Sequence, residues 1–387
     1  MGRISGIHAS VPRPGLGRRL RLFGRSFSQG LRRNSRWAFG RAVAGLVGPR
    51  KAAGELVASQ ISTVLVCRIN GRMGNTVFLT PLVRRIHDLI PHATIDLALA
   101  YPYAGELMQT MPGLRRVIAF PHKGPQLVRR YWAALRALRR ERYDVAIDPV
   151  PESTSGRIVM ALCHSRYRLG FATGSQWAPL THTVPEPIEI MHQALSPVFL
   201  LSRALGTPYD PRSLTLSLFL QAEELQRGRD AISQALAAKS LPPQALERTF
   251  GFFAHATAHK TIERSWWSAF WAAFLELQPD AIPVEFLPSP QTPPTDARFA
   301  SLHIPSPRAL TAAIAATHLF ISADTGPMHL ASSTDVPTIA LFRASNPTLY
   351  GPLKPSDLVL NLAELTPQQI ARRCHERWNE RAAVAVN

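Results

Sequence analysis

Phe320-Ile321-Ser322-Ala323-Asp324-Thr325-Gly326-Pro327-Met328-His329-Leu330 runs a short apolar strand into a polar turn and then into a helix that starts on proline. Proline suits the first helical position, because the amide there has no partner within the helix. The other free amides and the partial positive charge of a helix N-terminus make such a turn a site for phosphate. Asp324 ends the strand, and open α/β sheets bind ligands beyond the carboxyl ends of their strands. The same Asp-Thr-Gly also serves as an ordinary capped turn. The stretch therefore defines a strand–turn–helix unit before it defines a ligand.

The unit recurs on both sides. Thr63-Val64-Leu65-Val66-Cys67 is an apolar run rich in β-branched residues and ends in a turn bearing Gly71 and Gly74. A helical pattern follows, with Phe78, Leu82, Ile86 and Leu89 on one face. Residues 95–99, 116–120 and 144–148 read as further strands, with a helix over 126–140 between two of them. After a Pro-rich stretch the alternation restarts at 249–254 and continues through 283–287, 319–322 and 337–342. Trp266, Trp267, Phe270, Trp271 and Phe274 mark a helix whose aromatics suit a core better than a base-stacking platform. Strands alternating with helices predict parallel sheets covered on both faces. Gly206, Pro208 and Pro211 place the boundary, giving an arm over 1–60, one domain over 61–210 and a second over 211–387 with a C-terminal helix.

Charge divides along the same lines. The formal net charge is +18, yet residues 1–50 alone hold eleven Arg and no Lys, Asp or Glu. A nucleic-acid-binding domain would spread its cations over a folded face, so no nucleic-acid partner is expected. Leu20, Phe23, Phe27 and Leu31 recur at helical spacing among those arginines, a pattern that suits the surface of an anionic membrane. A disordered tail or a transit peptide fits the same composition. No stretch reaches the roughly 20 apolar residues that span a bilayer. Cys67, Cys163 and Cys374 form no paired motif and read as buried thiols in a reducing compartment.

Asp324-Thr325-Gly326-Pro327-Met328-His329-Leu330-Ala331, followed by Val336-Pro337-Thr338-Ile339-Ala340-Leu341-Phe342, resembles the donor-domain signature of the heptosyltransferases, glycosyltransferase family nine. Asn346-Pro347 and Gly351-Pro352 are similar to the elements after it. Residues 68–75, Arg-Ile-Asn-Gly-Arg-Met-Gly-Asn, then Thr80-Pro81-Leu82, resemble the family's first strand, turn and helix. Residues 143–148 and 168–171 add weaker agreement, and the likeness runs from about residue 62 to about residue 375. It implies a GT-B fold, two Rossmann-like domains facing across a cleft, with acceptor on the first and nucleotide sugar on the second. It implies inverting transfer from an ADP-heptose-like donor to lipopolysaccharide core or a related glycolipid, on the cytoplasmic face of the bacterial inner membrane.

The resemblance also distributes roles. Asp324, Thr325, Gly326 and His329 would hold the donor, and Arg68 and Arg72 the acceptor. A loop cation before Trp266 would meet the donor phosphates, and both Lys260 and Arg264 fit that place. No Asp-x-Asp motif is present, so no metal or other cofactor is expected, and cations would stabilise the leaving diphosphate. The chain departs from the family at Asn75, where Asp usually stands as general base. A carboxamide has no basic site at neutral pH, though it can orient a hydroxyl. Asp148, Glu152 and His122 are the candidate substitutes, each also suited to a structural role. The same departure leaves open a GT-B protein that binds nucleotide sugar or glycolipid without turnover.

Overall fold

A computed structural model describes residues 54–121, 126–151, 153–172, 180–256 and 260–386. The membrane reading of the basic arm, together with Glu152 and His122, lies outside these residues. In chain order the first half comprises β1 (Thr63–Arg68), α1 (Met73–Val77), α2 (Thr80–Leu89), β2 (Thr94–Leu99), α3 (Ala104–Met108) and β3 (Leu114–Ala119). It continues with α4 (Leu127–Arg139), β4 (Arg142–Asp148), α5 (Thr154–Leu162), β5 (His164–Ala172), β6 (His182–Pro185) and α6 (Ser196–Ala204). The second half comprises α7 (Ala222–Ala237), β7 (Thr249–Phe253), α8 (Arg264–Leu277), β8 (Ile282–Phe286), β9 (Ala300–Leu302) and α9 (Pro307–Ala315). It ends with β10 (Leu319–Ala323), α10 (Gly326–Ser332), β11 (Thr338–Phe342), α11 (Pro347–Tyr350), β12 (Leu358–Asn361) and α12 (Pro367–Val386).

The strands form two six-stranded sheets, ordered β3-β2-β1-β4-β5-β6 and β12-β11-β10-β7-β8-β9, and the paired strands run parallel. Counted from its own first strand, each sheet has the doubly wound order of nucleotide-binding folds. The order reverses between β1 and β4 in one sheet and between β7 and β10 in the other. Crevices at those reversals, beyond the carboxyl ends of the strands, are where such sheets take ligands.

Val64–Cys67 of β1 and the whole of β10 are buried, as parallel strands covered on both faces must be. The aromatic helix α8 turns Trp267, Phe270, Trp271 and Phe274 inward against Phe250 and Phe252, and Trp378 of α12 closes the cluster. The helix expected from Phe78 onward is α2, starting at Thr80, and a separate short helix, α1, precedes it across a break between Val77 and Thr80. Pro81 accounts for the break, since it lacks an amide hydrogen and its ring would strike the carbonyl four residues earlier. Helix α10 starts one residue sooner than expected, with Pro327 at its second position.

Candidate functional site

At the reversal of the second sheet, β10 delivers Asp324 and the chain leaving β7 delivers Lys260. Lys260 Nζ lies 2.5 Å from Asp324 Oδ2 and donates to the Asp324 carbonyl at 3.1 Å. Ser345, just past β11, donates its hydroxyl to the same carboxylate oxygen. His329, in the first turn of α10, holds Nε2 3.6 Å from Asp324 Oδ1, beyond hydrogen-bond range. Burial pushes the Asp324 carboxyl up, but His329, Lys260 and Ser345 outweigh it and hold the group well below the usual carboxylate range. Asp324 is therefore ionised, and it positions Lys260. The lysine side chain stays 32% exposed, so its remaining donors can meet an anion in the crevice.

The first sheet presents a second charged group at its own reversal, where β1 ends on Arg68 and β4 on Asp148. Arg68 Nη2 donates to Asn75 Oδ1 of α1 at 3.3 Å. The guanidinium is buried, and its Nε and Nη1 have no hydrogen-bond partner among the described residues. Burial lowers its pKa to about 10 against the attraction of Asp148, so it remains charged at neutral pH. Asp148 is fully buried, with Arg157 Nε 3.0 Å from its Oδ2. Burial raises its pKa to about 7 against the pull of Arg157. That value suits a proton acceptor, but the enclosed carboxylate has no access to a hydroxyl in the cleft. Its place here is to balance two buried guanidinium groups.

The two groups meet because glycines let their helices touch. A Cβ on Gly74 of α1 would lie 2.3 Å from His329 Cδ2, and one on Gly326 would lie 2.9 Å from Met73 Sδ. At residue 74 in particular, a side chain would strike the His329 ring. Phe78 lies edge-on to His329 and to His192, with ring centroids 4.7 Å and 5.0 Å away. His192 Nε2 is 2.8 Å from the Gly351 carbonyl oxygen, and the Ala194 amide donates to its Nδ1 at 3.1 Å. These partners require the proton on Nε2, and burial lowers the His192 pKa to about 4, keeping the ring neutral. Asn75 is thereby one residue from the α1–α10 contact.

The remaining candidates sit apart. Arg264 is exposed at the start of α8 and donates to the Pro294 carbonyl at 3.3 Å, so Lys260 is the loop cation that contacts Asp324. Arg72 is exposed and precedes α1. Thr325 is engaged with Ser322, hydroxyl to hydroxyl at 3.0 Å. Ser345 and His192 were not anticipated. The carboxyl end of β11, beside Asp324's strand, was the available signal for Ser345; His192 had none.

Residues 307–378 match the model of Glycosyltransferase family 9 (heptosyltransferase). No curated protein sequence matches the chain. Among solved structures, a glycosyl transferase family 9 protein from Veillonella parvula superposes with a TM-score of 0.69 at 18% identity, covering 85% of this chain and 100% of that one. The E. coli heptosyltransferase WaaC with ADP gives a TM-score of 0.63 at 18% identity, with 81% and 99% covered. The E. coli ADP-heptose LPS heptosyltransferase II gives 0.63 at 17% identity, with 83% and 99% covered. At these identities the structures speak to the fold, which is GT-B. The family match falls on the half that carries Asp324, Gly326 and His329. The chain therefore has the GT-B fold, and its residues 307–378 are similar to glycosyltransferase family 9, the heptosyltransferases.

Proposed function

We propose that this protein is a glycosyltransferase that moves a heptose or related sugar, with inversion, from a nucleoside-diphosphate donor to lipopolysaccharide core or a related glycolipid. The observation that carries the reading is the Lys260–Asp324 pair at the second sheet's crevice, beside α10, whose His329 packs on Gly74, the neighbour of Asn75. In the proposed reaction the acceptor hydroxyl attacks the anomeric carbon opposite the diphosphate. The carbon–oxygen bond to phosphate breaks, the hydroxyl proton passes to a base, and the nucleoside diphosphate leaves as an anion. Lys260 lies where that charge grows, and preorganised donors aimed at developing charge are a large source of catalysis. Arg68 and Asn75 face it from the acceptor half, where Asn75 can orient the hydroxyl. An ADP-heptose donor is supported by the neighbours, one described with ADP and another as an ADP-heptose enzyme. A glycolipid acceptor places the protein peripherally on the cytoplasmic face of an anionic inner membrane, consistent with its basic arm.

Calorimetric titration with ADP and ADP-heptose tests the donor half. Lys260→Ala removes a charge-assisted contact worth about 1.5–3 kcal/mol, so affinity is expected to fall roughly 10–100-fold. Unchanged affinity in the folded variant would take Lys260 out of the donor site. Failure of the wild type to bind either compound would remove ADP-heptose as donor.

A further inference from the structure

Helix α4 (Leu127–Arg139) carries no acidic residue, and its outer face is not explained by folding or by the cleft. Val128 is 68% exposed and Trp132 57% exposed. Val128, Trp132, Arg136 and Arg139 stand at i, i+4, i+8 and i+11, which puts them in one stripe along the helix. Arg129 and Arg140 flank that stripe and are also exposed. Ala134, Leu135 and Leu138 occupy the adjoining side and are buried with Ile118, Phe120 and Tyr143. Trp132 is not among the residues of that core.

The outward arginines have no carboxylate to meet. Among the described residues, no ion pair or side-chain hydrogen bond engages Arg129, Arg130, Arg136, Arg139 or Arg140. The nearby acids are already taken, Asp96 and Glu141 being paired with Arg115 and Arg116. The chain's own arm does not complement this face, since residues 1–50 hold eleven Arg and no acid. Helix α4 follows the carboxyl end of β3, so its first turns stand on the same rim of the sheet as Arg68 and Asp148.

We propose that this face of α4 docks on an anionic lipid surface, with Val128 and Trp132 in the headgroup region and the arginines on lipid phosphates. A basic helix with an aromatic and an aliphatic anchor on one stripe fits that interface, because long Arg stems let the charge reach phosphate while apolar groups enter the boundary. The site is separate from the basic arm, and it sets the acceptor half of the cleft beside the bilayer. That placement rests on the glycolipid reading; the docking itself does not.

The test uses the full chain with Val128→Cys carrying a nitroxide, the native thiols being buried. Vesicles contain phosphatidylglycerol and phosphatidylcholine and no glycolipid, so the result is independent of sugar transfer. On binding, the label is expected to gain oxygen accessibility and lose accessibility to a polar nickel complex. A control label at exposed Ser268 on α8 is expected to change in neither respect. Charge reversal by Arg129→Glu, Arg136→Glu and Arg140→Glu together is expected to weaken vesicle binding about tenfold or more. A label at 128 that stays water-accessible on vesicle-bound protein overturns the proposal, whatever the arm contributes. Immobilisation by RNA with no response to vesicles overturns it in favour of an acidic macromolecule.

Discussion

Arg68 and Asn75 share a single 3.3 Å hydrogen bond at the position where the family usually carries Asp as general base. Two of the three guanidinium nitrogens have no partner among the described residues, and the neutral carboxamide supplies no base. Asp148 is enclosed beside Arg157, and Asp324 is committed to Lys260 and Ser345. Asn75→Asp would put a carboxylate against a buried cation, which would keep it ionised. The variant is therefore expected to raise kcat, toward the about 10²–10⁴-fold that a general base provides, with little change in donor affinity. Steady-state kinetics decide it. An unchanged or lower kcat would show that the proton acceptor lies elsewhere, with Glu152 and His122 the next residues to replace.

Helices α1 and α10 show what kind of element the sequence revealed and what kind it concealed. The strands with continuous apolar runs, such as β1 and β10, were legible because burial on both faces demands such runs. Strand β5 was not read as a strand, since His164-Ser165-Arg166-Tyr167-Arg168 alternates charge with aromatic, and Arg168 is nonetheless buried. Short edge strands β9 and β12 give too few residues for a pattern. The donor-side residues Asp324, Gly326 and His329 could be named from the turn, but not their contact with α1, which depends on an absent side chain at residue 74. Gly74→Ala is expected to force those helices apart, costing about 1–3 kcal/mol of stability by overpacking and lowering kcat more than it weakens ADP binding. Chemical denaturation and kinetics on the same preparation check both effects. Full activity with native stability would mean that the α1–α10 contact is not part of the working site.

Two further contacts join the halves of the molecule, and both include bonds to backbone carbonyls, which carry no sequence pattern. Arg308 of α9 is buried and donates to the Leu107 and Leu218 carbonyls at 3.0 Å and 3.1 Å, to Thr110 Oγ1 at 2.6 Å, and to both Glu224 oxygens. It thereby ties α3, the interdomain segment and α7 together. Arg308→Ala leaves Glu224 and these acceptors unpaired, and is expected to cost about 3–5 kcal/mol in denaturant unfolding. A loss under about 1 kcal/mol would mean that the junction is not tightly held.

His192 makes the other joint pH-sensitive. Its pKa falls from the ordinary 6.5 to about 4 on burial, so the folded state binds fewer protons than the unfolded chain. The resulting stability is present above pH 6.5 and is lost as pH falls toward 4, on the order of 2–3 kcal/mol. Unfolding measured at pH 7.5 and 4.5 should show a smaller difference in His192→Gln than in the wild type. Equal differences would mean that this ring is not the group that titrates.

Sugar transfer at the junction of the two crevices is tested by following nucleoside-diphosphate release from ADP-heptose, with and without a lipopolysaccharide-core acceptor. The wild type is expected to release ADP only when acceptor is present. Lys260→Ala is expected to be about 10²–10³-fold slower at saturating donor, the usual cost of losing a preorganised donor to developing charge. Acceptor-dependent release that is equally fast in Lys260→Ala would show that the leaving group departs somewhere other than the Lys260–Asp324 crevice.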